Sequence, residues 1–533
     1  MPDDLIAYKV EKLQSSLNNL GNRLENVQKE LQRQLDALRQ QITTYIDEDR
    51  AARSRQFAQT ALVDARAEHD RRFGHRQMVR RSATGMLQVM TTGTVRPAAF
   101  LRAAEHLMVD ASDYWLSPAQ VVLAAWAGNR PVVAERAVLE AVSRDPARSA
   151  LFFSLVLARF GRQAAAADWI AEYTRTQDCN ALTEEFTAVL DAVAQGALGG
   201  QARERLLDAC RSWRDQIGQS DEREAKQVAS WTQFIRGQRR PLADKFQPLG
   251  TVSRDWVATL GALEATAAFG HTEQWLKSRL GGTNESDEAL RAAADLLREL
   301  IAAPDQAEDA LLEAARRYQA MIKHDGHPPT PASDEPGKTV RTDFLTLSTA
   351  IATGTYQSQI SEQAVRFCLA LSGTSAERAV TDLSEQVRST YPASIEVDIE
   401  GWHHAIEPGD DPDALVQKFS GWAQEAMTRD KAQTTHKRLI IGKTSTRLEH
   451  IESRWEARKQ EGQESVYLAT MRVNLFYQEW QQGIAAAARC ADLLRAQPAR
   501  VWSDAQDSRP LPGPTWSTMK LPDWDPRPPS LTN

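Results

Sequence analysis

The 533-residue chain carries 64 Lys and Arg against 71 Asp and Glu, a net charge of −7, with 42% hydrophobic and 25% charged residues. This is ordinary globular composition with length for about three domains, and its acidic balance argues against a protein that coats nucleic acid. The most apolar short run, Ala150 to Leu157, falls far below the ~18–20 residues that span a bilayer.

The four cysteines, Cys179, Cys210, Cys368 and Cys490, are far apart in sequence, so no zinc or redox pair is readable. Their scarcity fits a reducing compartment. The opening Met-Pro-Asp-Asp lacks the basic-then-apolar layout of a signal peptide. The expectation is a soluble, cytoplasmic protein.

The first 48 residues read as one helical arm. Val10, Leu13, Leu17, Leu20, Leu24, Val27, Leu31, Leu35, Leu38 and Ile42, followed by Tyr45, recur at alternating steps of three and four. An average step near 3.5 keeps one stripe facing a partner helix, so these residues form the seam of a coiled coil. The step from Leu31 to Leu35 repeats a four, a stutter that locally unwinds the supercoil. From Val10 to Tyr45 the helix spans roughly 54 Å. So narrow a stripe does not hold a lone helix in water. Another copy, a different protein or a later helix of the same chain must cover it.

Residues 49–96 continue as a basic helical connector, with Gly74 and Gly85 as expected breaks. Between Arg50 and Arg81 nine arginines oppose Asp64, Glu68 and Asp70, a net of +6 in a chain that is otherwise acidic. Arg71, Arg72, Arg76, Arg80 and Arg81 form a candidate anion-binding patch for nucleic acid or an anionic membrane surface. Only Phe73 interleaves with them as an aromatic, which favours a salt-bridged helix face over nucleic-acid binding.

Residues 97–323 read as helix, short turn, helix. Pro118 opens one helix, Asn129-Arg130-Pro131 interrupts, and Asp145-Pro146 ends the next. Ala134, Val138, Ala141 and Pro146 stand at the spacings of the second helix of a tetratricopeptide repeat, and over about 118–176 the chain resembles that family. Phe152 and Leu155 fit the first helix of a following unit. Pro118 and Val122 replace the family's Trp and Gly, Gly161 falls two residues early, and Asp168 replaces a small Ala. The resemblance implies stacked helix pairs and a protein-binding surface. Further on, Leu290, Ala293, Leu297, Leu300 and Ile301 make one amphipathic face. Pro304 stops that helix, and Asp305 caps a second with Leu311, Leu312, Ala315, Tyr318 and Ile322 on its face, predicting a hairpin. Trp231, Trp256 and Trp275 are expected between such helices.

Residues 324–340, with four prolines, read as a linker. Residues 341–497 read as a small mixed α/β domain. Ile395, Val397 and Ile399 alternate with Glu396, Asp398 and Glu400, the period-two signature of a strand. Asp411-Pro412-Asp413 starts a helix carrying Leu415, Phe419, Trp422 and Met427. Lys437 to Ile441 reads as a second strand, giving a strand–helix–strand crossover. Helices return from Leu448 to Gln497. Residues 498–533, rich in Pro and holding Trp502, Trp516 and Trp524, read as an extended tail.

Candidate chemistry is sparse. Gly442-Lys443-Thr444-Ser445 lacks the earlier glycine of a phosphate loop, since Lys437 stands there. Glu396, Asp398 and Glu400 on one strand face are a possible cation site, against pairing with Lys437 and Arg438. His403-His404 and His324/His327 lack cysteine partners. No catalytic, cofactor-binding or metal-binding residue is assigned. The chain is thus expected to be mainly α: a coiled-coil arm, a repeat-like helical array and a small C-terminal α/β unit. The expected function is a non-enzymatic scaffold or adaptor that oligomerises or docks through its arm and binds protein partners. The alternatives are an anionic-surface adaptor using Arg50–Arg81, and an enzyme or metal protein with its site in the α/β unit.

Overall fold

A computed structural model describes residues 2–92, 97–218, 220–280, 286–327, 341–436, 445–507 and 528. It is mostly helical. In chain order the helices are α1 (Pro2–Thr92), α2 (Pro97–Asp110), α3 (Leu116–Ala127), α4 (Pro131–Arg144), α5 (Pro146–Arg159), α6 (Gln163–Arg175), α7 (Glu184–Ala194), α8 (Gly200–Ile217) and α9 (Asp221–Gly237). They continue with α10 (Gln247–Val252), α11 (Trp256–Leu280), α12 (Ser286–Ala302), α13 (Gln306–Lys323), α14 (Phe344–Thr353), α15 (Glu362–Ser389), α16 (Pro412–His436) and α17 (Ser445–Asp507). Between α15 and α16 lie β1 (Ile395–Ile399) and β2 (Trp402–Ile406).

The chain forms two compact units. One comprises residues 1–87, 102–117 and 301–338; the other comprises 88–101, 118–300 and 339–533. The segment expected as one repeat-like domain, 97–323, is therefore divided between them. The expected hairpin of α12 and α13 is divided too, because α13 packs along α1 inside the first unit. Its face of Leu311, Leu312, Ala315, Tyr318 and Ile322 is half-buried there.

In that unit α1 runs unbroken through Gly74 and Gly85, where breaks were expected. A lone glycine costs a helix only about 1 kcal/mol. The buried neighbours Phe73, Val79, Ala83, Met86 and Leu87 hold the helix across both.

The larger unit buries its core around α15 and α17. Helix α15 presents Phe367, Cys368, Leu369, Leu371 and Ala376 inward and packs against α9, α14 and α17, while α17 also packs against α11 and α16. Within α4–α8, α5 packs on α6 and α6 on α8. The sequence punctuation operates as the residues demand. Pro131 and Pro146 occupy first helical turns. Asp145 accepts a hydrogen bond from Arg148 N at 3.0 Å, a helix cap typically contributing ~1 kcal/mol. Ala134, Val138 and Ala141 are buried, and Ser149 Oγ donates to Ala141 O at 2.8 Å. Trp231 and Trp256 are buried, and Trp275 meets Phe234 edge-on at 4.7 Å.

The strand at Ile395–Ile399 forms, but its partner is the next segment rather than one beyond a helix. β1 and β2 pair antiparallel, with Ile395 opposite Ile406 and Ile399 opposite Trp402. Glu400 and Gly401, at φ of 54° and 88°, make the turn; two left-handed residues match the twist of a tight hairpin. His403 and His404, read as loop, therefore lie on β2. The expected second strand, Lys437–Ile441, lies outside the described residues, as does the phosphate-loop-like Gly442-Lys443-Thr444. The expected tail begins too early at Pro498, because α17 continues to Asp507. Proline inside a helix removes one hydrogen bond, and the Ala-Arg-Val-Trp that follows it retains helical propensity. Trp516 and Trp524 lie outside the described residues.

Candidate interaction site: the arm and its root

The arm is the N-terminal half of α1. From Lys12 to Glu48 every residue is exposed. The seam leucines are 64% (Leu13), 69% (Leu17), 62% (Leu20), 64% (Leu24), 61% (Leu31), 40% (Leu35) and 56% (Leu38) accessible, with Val27 at 63% and Ile42 at 51%. Val10 belongs to α1, its side chain outside the described residues. No described part of the chain buries this stripe. The flanks are held by i,i+3 and i,i+4 ion pairs: Lys29 with Glu25 at 2.9 Å, Arg33 with Glu30 at 3.5 Å and Arg39 with Asp36 at 3.8 Å. Such exposed pairs each contribute only a few tenths of a kcal/mol to a helix. They support helicity and leave the apolar stripe uncovered.

Burial begins at Ala51, nine residues after Ile42 and therefore on the opposite side of the helix at about 100° per residue. Ala51, Ala58, His69, Phe73, Arg76, Val79, Ala83 and Met86 are buried. Helix α13 runs antiparallel along this half. Arg55 meets Asp325 at 3.1 Å, the Phe57 and Tyr318 rings meet edge-on at 6.1 Å, and His69 Nε2 lies 3.3 Å from Glu308. Just beyond the C-terminal end of α13, Gly326 lies against α1. That residue has φ of 89°, and a Cβ there would sit 1.9 Å from Ala51 O. Only glycine meets both demands.

The N-terminal end of α13 is gripped by arginines. Asp305 caps the helix by accepting from Glu308 N at 2.9 Å, and it also accepts from Arg76. Arg76 Nη2 donates to Asp113 at 2.6 Å, and the Arg76 guanidinium lies over the Phe73 ring at 4.3 Å. Arg80 Nη1 donates to Glu308 at 2.9 Å, and Arg80 Nε donates to Tyr114 Oη at 3.1 Å. Burial raises the Glu308 carboxyl, but the hydrogen bond and charge of Arg80, with His69 and Arg76, outweigh it and hold it below its ordinary value. Arg76 likewise lowers Asp113 against its burial. Arg80 is raised by Glu308 and Tyr114 although burial opposes it. The cluster keeps its charges at neutral pH and fixes α1 to α13.

The candidate anion-binding patch is thus dispersed. Arg76 and Arg80 point into the unit and are engaged by carboxylates. Arg71 pairs with Glu68 at 2.6 Å, Arg72 approaches the same carboxylate at 3.9 Å, and Arg81 is exposed. His69, Phe73, Arg76 and Arg80 follow one another at steps of four, three and four and form a second stripe of α1 on the side away from the leucine seam, with Arg76 buried and Arg80 half-buried. Charge alone conceals that phase.

The acidic strand face is divided as well. Glu400 sits in the turn and pairs with Arg458 at 2.7 Å, Asp398 faces His403 at 3.6 Å and Arg254 at 3.7 Å, and Glu396 is exposed. Among the described residues no group of three or more His, Cys, Asp or Glu could hold a metal ion. The four cysteines are buried and unpaired with one another. Burial pushes the Cys490 thiol up to about 12 and raises Cys210 and Cys368 as well, so these remain unreactive thiols. No helix among the described residues is long and apolar enough to cross a membrane. No protein-family model, curated protein or solved structure matches the chain.

Proposed function

We propose that this protein is a non-enzymatic scaffold or adaptor that assembles through its N-terminal helix and offers its helical body to protein partners. The observation that carries the reading is the exposed seam from Leu13 to Ile42 on a helix rooted by α13. A contiguous exposed apolar surface of this size marks an interaction site. A free arm of this composition does not persist as an isolated helix in water, so its occupant is another polypeptide. The buried arginine cluster supports the same reading, since it anchors the arm rather than binding an external anion. The helices between residues 118 and 217 would supply the second, partner-binding surface.

The test is purification of the full chain from its native host beside the variant Leu17→Lys/Leu24→Lys/Leu31→Lys. Loss of self-association or of specific co-purifying proteins in the variant is expected. A monomeric wild type that retains the same partners as the variant contradicts the proposal.

A further inference from the structure

Resting on that reading, we infer that the occupant of the seam is the same segment of a second copy, lying parallel and in register. The first argument is phase. With Leu13 at a d position, Leu17, Leu24 and Leu31 take a, and Leu20 and Val27 take d. The doubled four-residue step makes Leu35 a new a position, followed by Leu38 at d, Ile42 at a and Tyr45 at d. A stutter shifts the direction of the seam about the helix axis, so the facing helix must shift at the same height. A parallel, in-register copy does so by identity. An antiparallel copy centred on the seam, near residue 29, would set the stutter at 31–35 against residues 23–27 of its neighbour, where the seam is regular. Centring the pair on the stutter instead would set Leu13 and Leu17 against Arg53 and Asp49, beyond the seam of the neighbour. An unrelated helix would need the same insertion at the same height.

The second argument is charge. In a parallel pair each g position faces the e position five residues later on the partner. Those pairs here are Ser16 with Gly21, Arg23 with Gln28, Gln34 with Arg39 and Gln41 with Ile46, and at the stutter the g residue Glu30 comes opposite Leu35. No like charges meet, so nothing on the flanks opposes self-pairing. The third is area. Nine seam residues that are 40–69% exposed present on the order of 1,000 Å² of apolar surface per helix, enough for two helices to exceed the ~1,000 Å² total expected of a specific interface. Burying it stabilises the pair by the hydrophobic effect and removes the seam from water.

The test is dipolar electron-spin resonance on the full chain, spin-labelled at Ser15→Cys or at Thr44→Cys. Both sites are exposed and off the seam, and the four native cysteines are buried. Parallel in-register pairing predicts a label–label distance within about 30 Å for each variant separately. At 1.5 Å per residue an antiparallel pair centred near residue 29 predicts distances beyond about 40 Å for both, with a short distance only when the two variants are mixed. That result, or a monomeric full chain with no dipolar signal, overturns the inference. Failure here is separable from failure of the function. A monomer whose co-purifying proteins vanish on Leu17→Lys/Leu24→Lys/Leu31→Lys keeps the docking role and loses only self-pairing.

Discussion

Two long helices carry the same kind of stripe and meet opposite fates. In α1 the stripe from Leu13 to Ile42 is exposed. In α17, Val466, Ala469, Val473, Phe476, Tyr477, Trp480, Ala487, Cys490 and Leu494 recur at similar spacing, and all are buried beneath neighbours that include α11, α15 and α16. The difference lies in what the positions hold. The α17 stripe mixes large aromatics with small residues and so accommodates neighbours at different depths. The Phe476 and Trp480 rings lie tilted to one another at 5.5 Å within a ring cluster. Gly483 brings α17 so close to α11 that a Cβ would stand 2.6 Å from Thr266 O, and Gly462 receives the Phe419 ring. The α1 stripe is nearly all leucine and of one size, which suits a single helix of matching shape. Its Gly21, and Gly74 and Gly85 further along α1, meet nothing within 4 Å. Periodicity alone marks a face to be covered; side-chain size along that face distinguishes a globular neighbour from a coiled-coil partner.

Substitutions in the two stripes should separate them. The largest effect is expected from Leu17→Lys/Leu24→Lys/Leu31→Lys, which should abolish assembly through α1 and cost no more helical circular dichroism than the arm itself supplies. An assembly that survives would place the interface elsewhere. Next is Glu308→Ala. It leaves Arg80 without its buried carboxylate, and removing one partner of a buried pair costs about 3–5 kcal/mol, read as a lowered urea midpoint for the unit that holds α13. A midpoint unchanged within error would show that the cluster contributes little. Gly483→Ala should destabilise the larger unit by about 1–3 kcal/mol, the cost of overpacking, because the new methyl would meet the Thr266 backbone as well as its side chain. Gly85→Ala should act in the opposite direction, stabilising α1 by about 0.5–1 kcal/mol. If the two alanine variants shift stability alike, the contrast in packing between the two helices is wrong.

Acid supplies a smaller, graded effect. The carboxyls of Glu308 and Asp113 lie below their ordinary values in the folded unit, so the unfolded chain binds more protons over the carboxylate range. Their contribution is present above that range and is lost as pH falls through the folded values. Urea midpoints of the arm-bearing unit should therefore fall on acidification below about pH 4.5, and Glu308→Gln should flatten that dependence. An equally steep profile in the variant would assign the acid sensitivity to other groups.

Much of the local structure was legible in the residues. The leucine spacing marks the arm, Asp145-Pro146 and Asp305 mark helix starts, and Ile395 to Ile399 marks a strand. What was not legible depended on distant partners. The polar residues His69, Arg76 and Arg80 lie on a second face of α1, away from the leucine seam, and nothing local indicates that a helix more than two hundred residues later covers that face with Asp305 and Glu308. The β2 segment Trp402-His403-His404-Ala405-Ile406 alternates weakly, and its Glu400-Gly401 turn lacks the usual Asn or Asp before glycine. Pro498 suggested a stop, yet one missing hydrogen bond did not end α17.

On this reading a second molecule of the same chain covers the exposed stripe of α1. Sedimentation equilibrium of the full chain tests it most directly. The account predicts twice the 59.4 kDa chain mass for the wild type and the single-chain mass for Leu17→Lys/Leu24→Lys/Leu31→Lys. A wild type that sediments as a single chain across micromolar concentrations would contradict it.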